Sequence, residues 1–184
     1  KDCGSYIATS GGELLKFVKK NKVGVFKIPV HSKNPVLIIL NAILLSMIIL
    51  FKKINIVHAR SRAPAWSCYL ACLITNTIFV TTFHGTYNYK SKLKKIYNSI
   101  MLRSKLTIAG SNFIFSHINE NYSEFLSKKK KLRVIFRGIN VDYFNQKNIS
   151  VLKQEKLKKE WDIDSNKFTI LMPGRLTTWK GQGK

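Results

Sequence analysis

The chain has 184 residues, 45% of them hydrophobic, so it can form one domain, or one domain and part of another, around a packed core. This composition excludes a wholly disordered chain. Lys and Arg outnumber Asp and Glu by 32 to 9, giving a formal net charge of +23, and no acidic residue occurs between Glu13 and Glu120. Such a surface favours polyanionic partners, namely nucleic acid, anionic lipid or a phosphorylated substrate. An A/T-rich genome would also encode much of this Lys, Asn and Ile excess, so charge alone assigns no function.

Short strands and helices alternate along most of the chain. The patterns predict strands over residues 6–9, 22–29, 55–59, 79–83, 106–109 and 132–136. They predict helices that begin near Glu13, Pro35, Pro64, Lys90 and Phe113. The helix after Tyr89 has an apolar stripe and a basic face, which are formed by Leu93, Ile96, Tyr97, Ile100 and Met101 and by Lys90, Lys92, Lys94 and Lys95. This alternation is typical of an α/β fold, a Rossmann-like parallel sheet with helices on both faces.

The most apolar segment runs from Val36 to Phe51 and is interrupted only by Asn41 and Ser46. It is shorter than the ~20 residues that cross a bilayer. Asn34-Pro35 is a helix-start signal, and Lys52-Lys53 follows the segment. The pattern predicts a buried or membrane-surface helix rather than a spanning one.

The three cysteines form no CxxC pair. Cys68 and Cys72 are four residues apart, so we expect them to share a helix face as small buried thiols. This usage fits a reducing cytosol and argues against a disulfide scaffold or a zinc site.

The character of the sequence changes after Phe144. A polar linker over 145–150 leads into a charged amphipathic helix over 151–161, and a further strand is predicted over 168–172. The strand is followed by Pro173-Gly174-Arg175 and Lys180-Gly181. We therefore predict two domains, over 1–144 and 145–184, with the second represented by a linker helix and its first strand and loop.

His84 and Gly85 directly follow the predicted strand over 79–83. In open α/β sheets, ligands bind just beyond the carboxyl ends of the strands. His84 is thus placed to meet a substrate, and Gly85 permits close approach of a ligand. A histidine that caps a turn or completes a hydrogen bond in the core is the alternative.

Four stretches together resemble the retaining glycosyltransferases of family 4, which have the GT-B fold. They are HARSRAPAW from His58, TTFHGTY from Thr81, RGINVDYF from Arg137 and PGRLTTWKG from Pro173. The RSRAPAW form is most similar to bacterial members that build lipopolysaccharide or other surface glycans of the cell envelope. One departure is Asn140, where the family usually has Asp.

The resemblance implies two Rossmann-like domains that face each other across a cleft, an acceptor-side domain followed by a nucleotide-sugar domain. This chain would be the acceptor-side domain without its first strand, plus the start of the second domain, and is expected to be inactive alone. The implied reaction transfers a sugar, with retention, from a nucleotide-diphosphate sugar to a lipid-linked, lipopolysaccharide or polysaccharide acceptor. It uses no metal and no cofactor besides the nucleotide sugar.

The resemblance also implies roles for individual residues. His84, with Gly85, would lie beside the donor sugar as the catalytic residue, and Arg175, Lys180 and Gly174 would bind the donor diphosphate. Candidates for the acceptor side are Arg60, Arg62, Ser111, Tyr87 and Arg137. The alternatives are solvated or bridging cations for the arginines and the lysine, a helix cap for Ser111 and core packing for Tyr87.

The basic helix and the Val36–Phe51 segment together predict peripheral attachment to the anionic cytoplasmic face of the inner membrane. A polyanion-binding module, for nucleic acid or anionic membrane, is the alternative function, and it rests on charge alone. The sequence has no RNP-like motif, zinc spacing or helix-turn-helix signature, so no specific nucleic-acid partner is predicted. It also lacks the GxGxxG of a dinucleotide oxidoreductase and the spacing of a P-loop.

Overall fold

The computed structural model describes residues 4–20, 23–126, 131–164, 166–174 and 176. The chain divides into two compact units, Lys1–Arg137 and Gly138–Lys184. The division falls at Arg137, whereas the sequence prediction places the domain boundary after Phe144. Each unit is described by itself below.

The first unit alternates strands and helices, as predicted. Its strands are β1 Tyr6–Thr9, β2 Gly24–Lys27, β3 Ile56–Ala59, β4 Ile78–Phe83, β5 Leu106–Ala109 and β6 Lys131–Val134. Its helices are α1 Leu15–Lys20, α2 Pro35–Phe51, α3 Arg62–Thr75, α4 Lys92–Asn98 and α5 Asn112–Tyr122, with 3₁₀ turns at Ser99–Leu102 and Ser123–Phe125. The predicted α/β class is confirmed, because all the paired strands are parallel and helices cover both faces.

The strands belong to two sheets. One has the order β3-β4-β5-β6, and the other consists of β1 and β2. In the described part of the chain, no strand pairing joins β1 to β3, and a groove of about 620 Å³ lined by residues of both strands lies there. The sequence pattern predicts a single sheet. The structure has two, since the edge strands β1 and β3 are not hydrogen-bonded to each other.

The core of the first unit lies around β4, β5 and the helices that pack on them. Its fully buried large side chains are Phe83, Ile100, Met101, Leu102, Ile118 and Tyr122. Cys68 and Cys72 are both buried, free thiols on α3, as expected from their spacing. Burial raises the pKa of Cys68 to about 12 and that of Cys72 to about 11. These cysteines are packing residues.

Helix α2 has an unusual distribution of polarity. Asn34 caps its start, since the side-chain oxygen accepts from the Val36 N–H at 2.9 Å. Its two polar residues face inward, where Asn41 donates to the Pro29 carbonyl at 3.0 Å and Ser46 donates to the Ala42 carbonyl at 2.8 Å. Besides Pro35, its exposed residues are large and apolar, namely Val36, Ile39, Leu40, Ile43, Leu44, Met47, Leu50 and Phe51. We call these eight residues the outer face of α2.

The basic helix after Tyr89 is shorter than the sequence predicts. Helix α4 ends at Asn98, and the chain continues as a 3₁₀ turn in which the Ser99 hydroxyl donates to the Ile96 carbonyl at 2.7 Å. Leu93 is 81% exposed, whereas Ile100 is fully buried, so the predicted apolar stripe does not form one continuous face. The physical reason is the 3₁₀ turn, which changes the angle between successive side chains.

The second unit contains the helix α6 Val151–Glu160, capped by Ser150 and preceded by a 3₁₀ turn at Gln146–Asn148. The strand predicted over 168–172 is wrong, because these residues form no regular structure and Phe168 is 92% exposed. A strand requires hydrogen bonds to a neighbouring strand, and no described segment of the chain pairs with 168–172.

Candidate active site

Three predicted site residues meet at the carboxyl ends of the larger sheet. Arg60 follows β3, His84 follows β4, and Arg137 lies three residues beyond β6. The Arg137 Nη2 atom is 2.7 Å from His84 Nδ1, and the Arg60 Nε atom is 3.3 Å from His84 Nε2. We call Arg60, His84 and Arg137 the His84 cluster. Parallel pairing of the strands brings the three side chains to one edge, as the sequence argument predicts for His84.

The His84 imidazole is held neutral. Burial lowers its pKa most, and the positive charges of Arg137 and Arg60 and the nearby His58 lower this pKa further. A neutral imidazole has one acceptor nitrogen, while a guanidinium group only donates. The Arg137 N–H points at Nδ1 and the Arg60 N–H points at Nε2, so the two guanidinium groups compete for the one acceptor nitrogen of the neutral ring. The guanidinium that does not donate to the ring keeps its N–H for an oxygen ligand at this edge.

His58 is a neighbour of this cluster to which the sequence assigns no role. Its Nε2 atom lies 2.7 Å from the Thr82 hydroxyl, and burial and Arg60 lower its pKa. The position of His58, one residue before the end of β3, could have predicted that it lies near His84, because β3 and β4 are adjacent and end at the same edge of the sheet. A second neutral imidazole thus belongs to the surroundings of His84.

The two glycines near the cluster have different environments. Among the described residues other than its chain neighbours, none lies within 4 Å of a Cβ built on Gly85, and Gly85 has no positive φ. A Cβ on Gly110 would lie 3.6 Å from Arg137 Nε, so the Arg137 side chain passes over Gly110. The described part of the fold therefore does not itself require glycine at position 85.

Arg62 does not join the His84 cluster. Its Nη1 donates to Asn98 Oδ1 at 2.8 Å, and its guanidinium lies 4.3 Å from the centre of the Tyr87 ring. The Tyr87 ring also contacts Phe83, with 4.3 Å between ring centres. Tyr87 is therefore a half-buried packing residue that supports Arg62.

The remaining predicted residues lie elsewhere. The Ser111 hydroxyl caps α5 by accepting from the Ile114 N–H at 3.3 Å, which matches the capping alternative for this residue. Gly174 is exposed in the second unit. The predicted diphosphate ligands Arg175 and Lys180 lie outside the described residues. Among the described residues, no group of three or more His, Cys, Asp or Glu side chains is arranged to hold a metal ion.

Comparisons with known proteins agree with this fold. The family model for Glycosyltransferase Family 4 matches residues 5–143. The crystal structure of a glycosyltransferase from Rickettsia africae ESF-5 is 46% identical, with a TM-score of 0.77, over 97% of this chain and 46% of that chain.

Crystal structures of HepE (Alr3699) from Anabaena, in complex with UDP-glucose and with UDP and glucose, are each 15% identical, with TM-scores of 0.73 and 0.72. Each match covers 97% of this chain and 47% or 48% of the HepE chain, so the chain spans about half the length of these structures. No curated protein sequence matches the chain. The family match and the Rickettsia relative identify the chain as a member of glycosyltransferase family 4.

Proposed function

We propose that the chain forms the acceptor-side domain of a retaining glycosyltransferase that uses a nucleotide-diphosphate sugar. The observation that carries the proposal is the neutral His84 imidazole between Arg60 and Arg137 at the carboxyl edge of a family 4 domain. The nucleotide-sugar donor is supported by HepE, whose structures contain UDP-glucose or UDP and glucose. The acceptor we propose is lipid-linked, or a growing lipopolysaccharide or polysaccharide.

The proposed chemistry is front-side attack at the anomeric carbon. The bond between C1 and the diphosphate oxygen breaks, the acceptor oxygen bonds to C1 on the same face, and the acceptor proton passes to the departing diphosphate. The His84 imidazole hydrogen-bonds a hydroxyl of the donor sugar, and Gly85 leaves space for that sugar. Fixed positive charge stabilises the leaving group, and we assign this role to Arg175 and Lys180, with Gly174 in the same loop. These two cations replace a metal ion in the proposal.

We further propose that the domain attaches peripherally to the cytoplasmic face of an anionic membrane through α2. Its outer face is entirely apolar while its polar residues face inward, the reverse of a helix that faces water. Two exposed lysines, Lys52 and Lys53, follow the helix and suit anionic headgroups. No helix among the described residues is long and apolar enough to cross a bilayer.

The test of transfer uses the full-length gene product, incubated with membranes and a panel of UDP-, GDP- and ADP-sugars. We expect release of the nucleoside diphosphate from one donor, and loss of that release in His84→Ala. Arg133→Gln is the matched control, because Arg133 is an exposed β6 cation outside the His84 cluster. Absence of release with every donor, together with salt-sensitive RNA binding, would favour the polyanion-binding module instead.

The test of membrane attachment compares binding to phosphatidylglycerol-containing and pure phosphatidylcholine vesicles. We expect salt-sensitive binding to the anionic vesicles and its loss in the double variant Ile43→Ser, Met47→Ser. Phe113→Ser is the control, because Phe113 is an exposed apolar residue that lies on α5, outside both α2 and the basic helix. Equal binding to both kinds of vesicle would contradict the proposal.

A further inference from the structure

A second cavity lies at the carboxyl ends of β1 and β2, beside the start of α3. Its volume is about 730 Å³, and none of the residues of the His84 cluster lines it. Its cationic side chains are Lys33, Arg62 and Lys94, and none of the described residues that line it is acidic. A cavity of this size accommodates a phosphoryl group together with part of a sugar or an isoprenoid.

Arg62 is held in a fixed orientation at this cavity. Asn98, which is 1% exposed, accepts from Arg62 and itself donates to the Asn88 carbonyl at 2.9 Å and the Tyr122 hydroxyl at 3.2 Å. The Tyr87 ring supports the guanidinium from one side. A guanidinium has five N–H donors, and the contact with Asn98 uses one of them. Arg62 is thus a preorganised donor for an anion.

The three cations have no described acidic partner. The ion pairs of the described residues join Lys95 to Glu124, Lys158 to Glu155 and Lys167 to Asp164, and none of them involves Lys33, Arg62 or Lys94. Like charges gathered around one cavity repel each other, and a bound anion removes that cost. Two of the polar lining residues also contact each other, since His31 Nδ1 lies 2.7 Å from the Ser10 hydroxyl.

We propose that this cavity binds a phosphate or diphosphate group of the acceptor. The assignment to the acceptor rests on the proposed function, whereas binding of the phosphoryl group does not. The cavity is lined by Val30, His31 and Lys33, the segment that leads into α2. A helix that lies on a membrane through its outer face therefore brings this cavity close to the headgroup layer, where a lipid-linked phosphate would be presented.

The test measures binding of inorganic pyrophosphate to the chain by isothermal titration calorimetry. Replacing Lys94 or Lys33 by Ser removes one charge-assisted contact, so we expect binding about fivefold to tenfold weaker in each variant. Lys92→Ser is the matched control, because Lys92 is an exposed lysine on the same helix α4 that does not line the cavity. Arg62→Gln should weaken pyrophosphate binding most. If Arg62→Gln impairs folding, the variants of the exposed Lys33 and Lys94 still test the proposal.

Pyrophosphate binding that Lys94→Ser and Lys33→Ser leave unchanged, or weaken no more than Lys92→Ser, would overturn the inference. The source of the phosphate is distinguished by neutral vesicles with and without a polyprenyl phosphate, beside a soluble sugar phosphate. Turnover is measured separately in the full-length protein. Donor turnover without cavity-dependent pyrophosphate binding refutes only this inference, and cavity-dependent binding without turnover refutes only the proposed function.

Discussion

The Arg137 Nη2 atom lies 2.7 Å from Nδ1 of His84, so the segment after β6 is joined to the end of β4 by a single hydrogen bond. The contact links residues 53 positions apart in sequence. It orients the imidazole ring, because the Arg137 guanidinium lies at Nδ1 while the Arg60 guanidinium lies at Nε2. Arg137 is therefore a positioning residue for His84.

Replacing Arg137 by Gln is expected to raise the pKa of His84. The variant removes the positive charge that lowers this pKa, while the larger contribution of burial remains. The shift is measured by NMR titration of the imidazole Cε1–H signal. Arg133→Gln should leave the His84 pKa unchanged, and an unchanged pKa in Arg137→Gln would refute the contact.

The free energy of unfolding is expected to fall on mild acidification. His58, His84 and His117 all have pKa values below 6.5 in the fold, chiefly because of burial. Below pH 6.5 the unfolded chain binds more protons than the folded chain, so this contribution is full above pH 6.5 and is lost as the pH falls through the folded values. Denaturant midpoints at about pH 7.5, 6 and 5 measure the effect. A stability that is constant over this range would contradict it.

Gly85→Ala is expected to leave the thermal midpoint unchanged but reduce kcat/KM of the full-length protein at least about tenfold. Apart from its chain neighbours, an alanine Cβ meets no described atom within 4 Å, so a loss of activity reports the approach of a substrate. Gly4→Ala is the control, because its Cβ would make only an ordinary contact with Tyr6. Full activity in Gly85→Ala would remove Gly85 from the proposed site.

Thr81→Val is expected to lower the free energy of unfolding by about 1–2 kcal/mol. The Thr81 side chain is fully buried, and its hydroxyl contacts the Met101 carbonyl at 2.5 Å and the Ser104 hydroxyl at 2.8 Å. Valine keeps the shape but loses both hydrogen bonds. Urea unfolding measures the change, with exposed Thr86→Val as the control.

Cys68 and Cys72 are expected to resist a disulfide exchange reagent at about pH 8 in the folded protein. Their pKa values of about 12 and about 11 keep the reactive thiolate scarce, and both side chains are buried. A Cys3→Ser background restricts the measurement to these two thiols. Both should react once guanidinium unfolds the chain, and rapid labelling before unfolding would show that α3 opens.

The sequence predicts elements best where the pattern is local. The β5 strand has the predicted bounds, 106–109, and α2 begins and ends at its predicted signals, Pro35 and Lys52-Lys53. The strand prediction for 168–172 is wrong because a strand forms only beside a partner strand, and a short apolar run does not specify that partner. The predicted end of the α4 helix is wrong for a related reason, since packing in the core, and not helical periodicity, determines the position of the buried Ile100.

For the site, strand ends identify which residues share an edge but not which side chains touch. The position of His84 is predicted in this way. The sequence favours Arg60 and Arg62 equally as site residues. The structure separates them, because Arg60 contacts His84 whereas Arg62 is captured by Asn98 and Tyr87. Asn98 is not predicted, because a buried amide that orients an arginine 36 residues away has no local sequence signal.

The proposed membrane attachment through the outer face of α2 would change how the protein meets its acceptor. A protein that lies on a bilayer through this face meets a lipid-linked acceptor by lateral diffusion in a plane, so encounter depends on the surface density of the acceptor and not on its bulk concentration. Dilution of the membranes with detergent or with excess neutral lipid would then slow the reaction even at constant total acceptor. The eight outward apolar residues, which folding in water does not require, would in this way confine the encounter between the enzyme and its acceptor to the plane of the membrane.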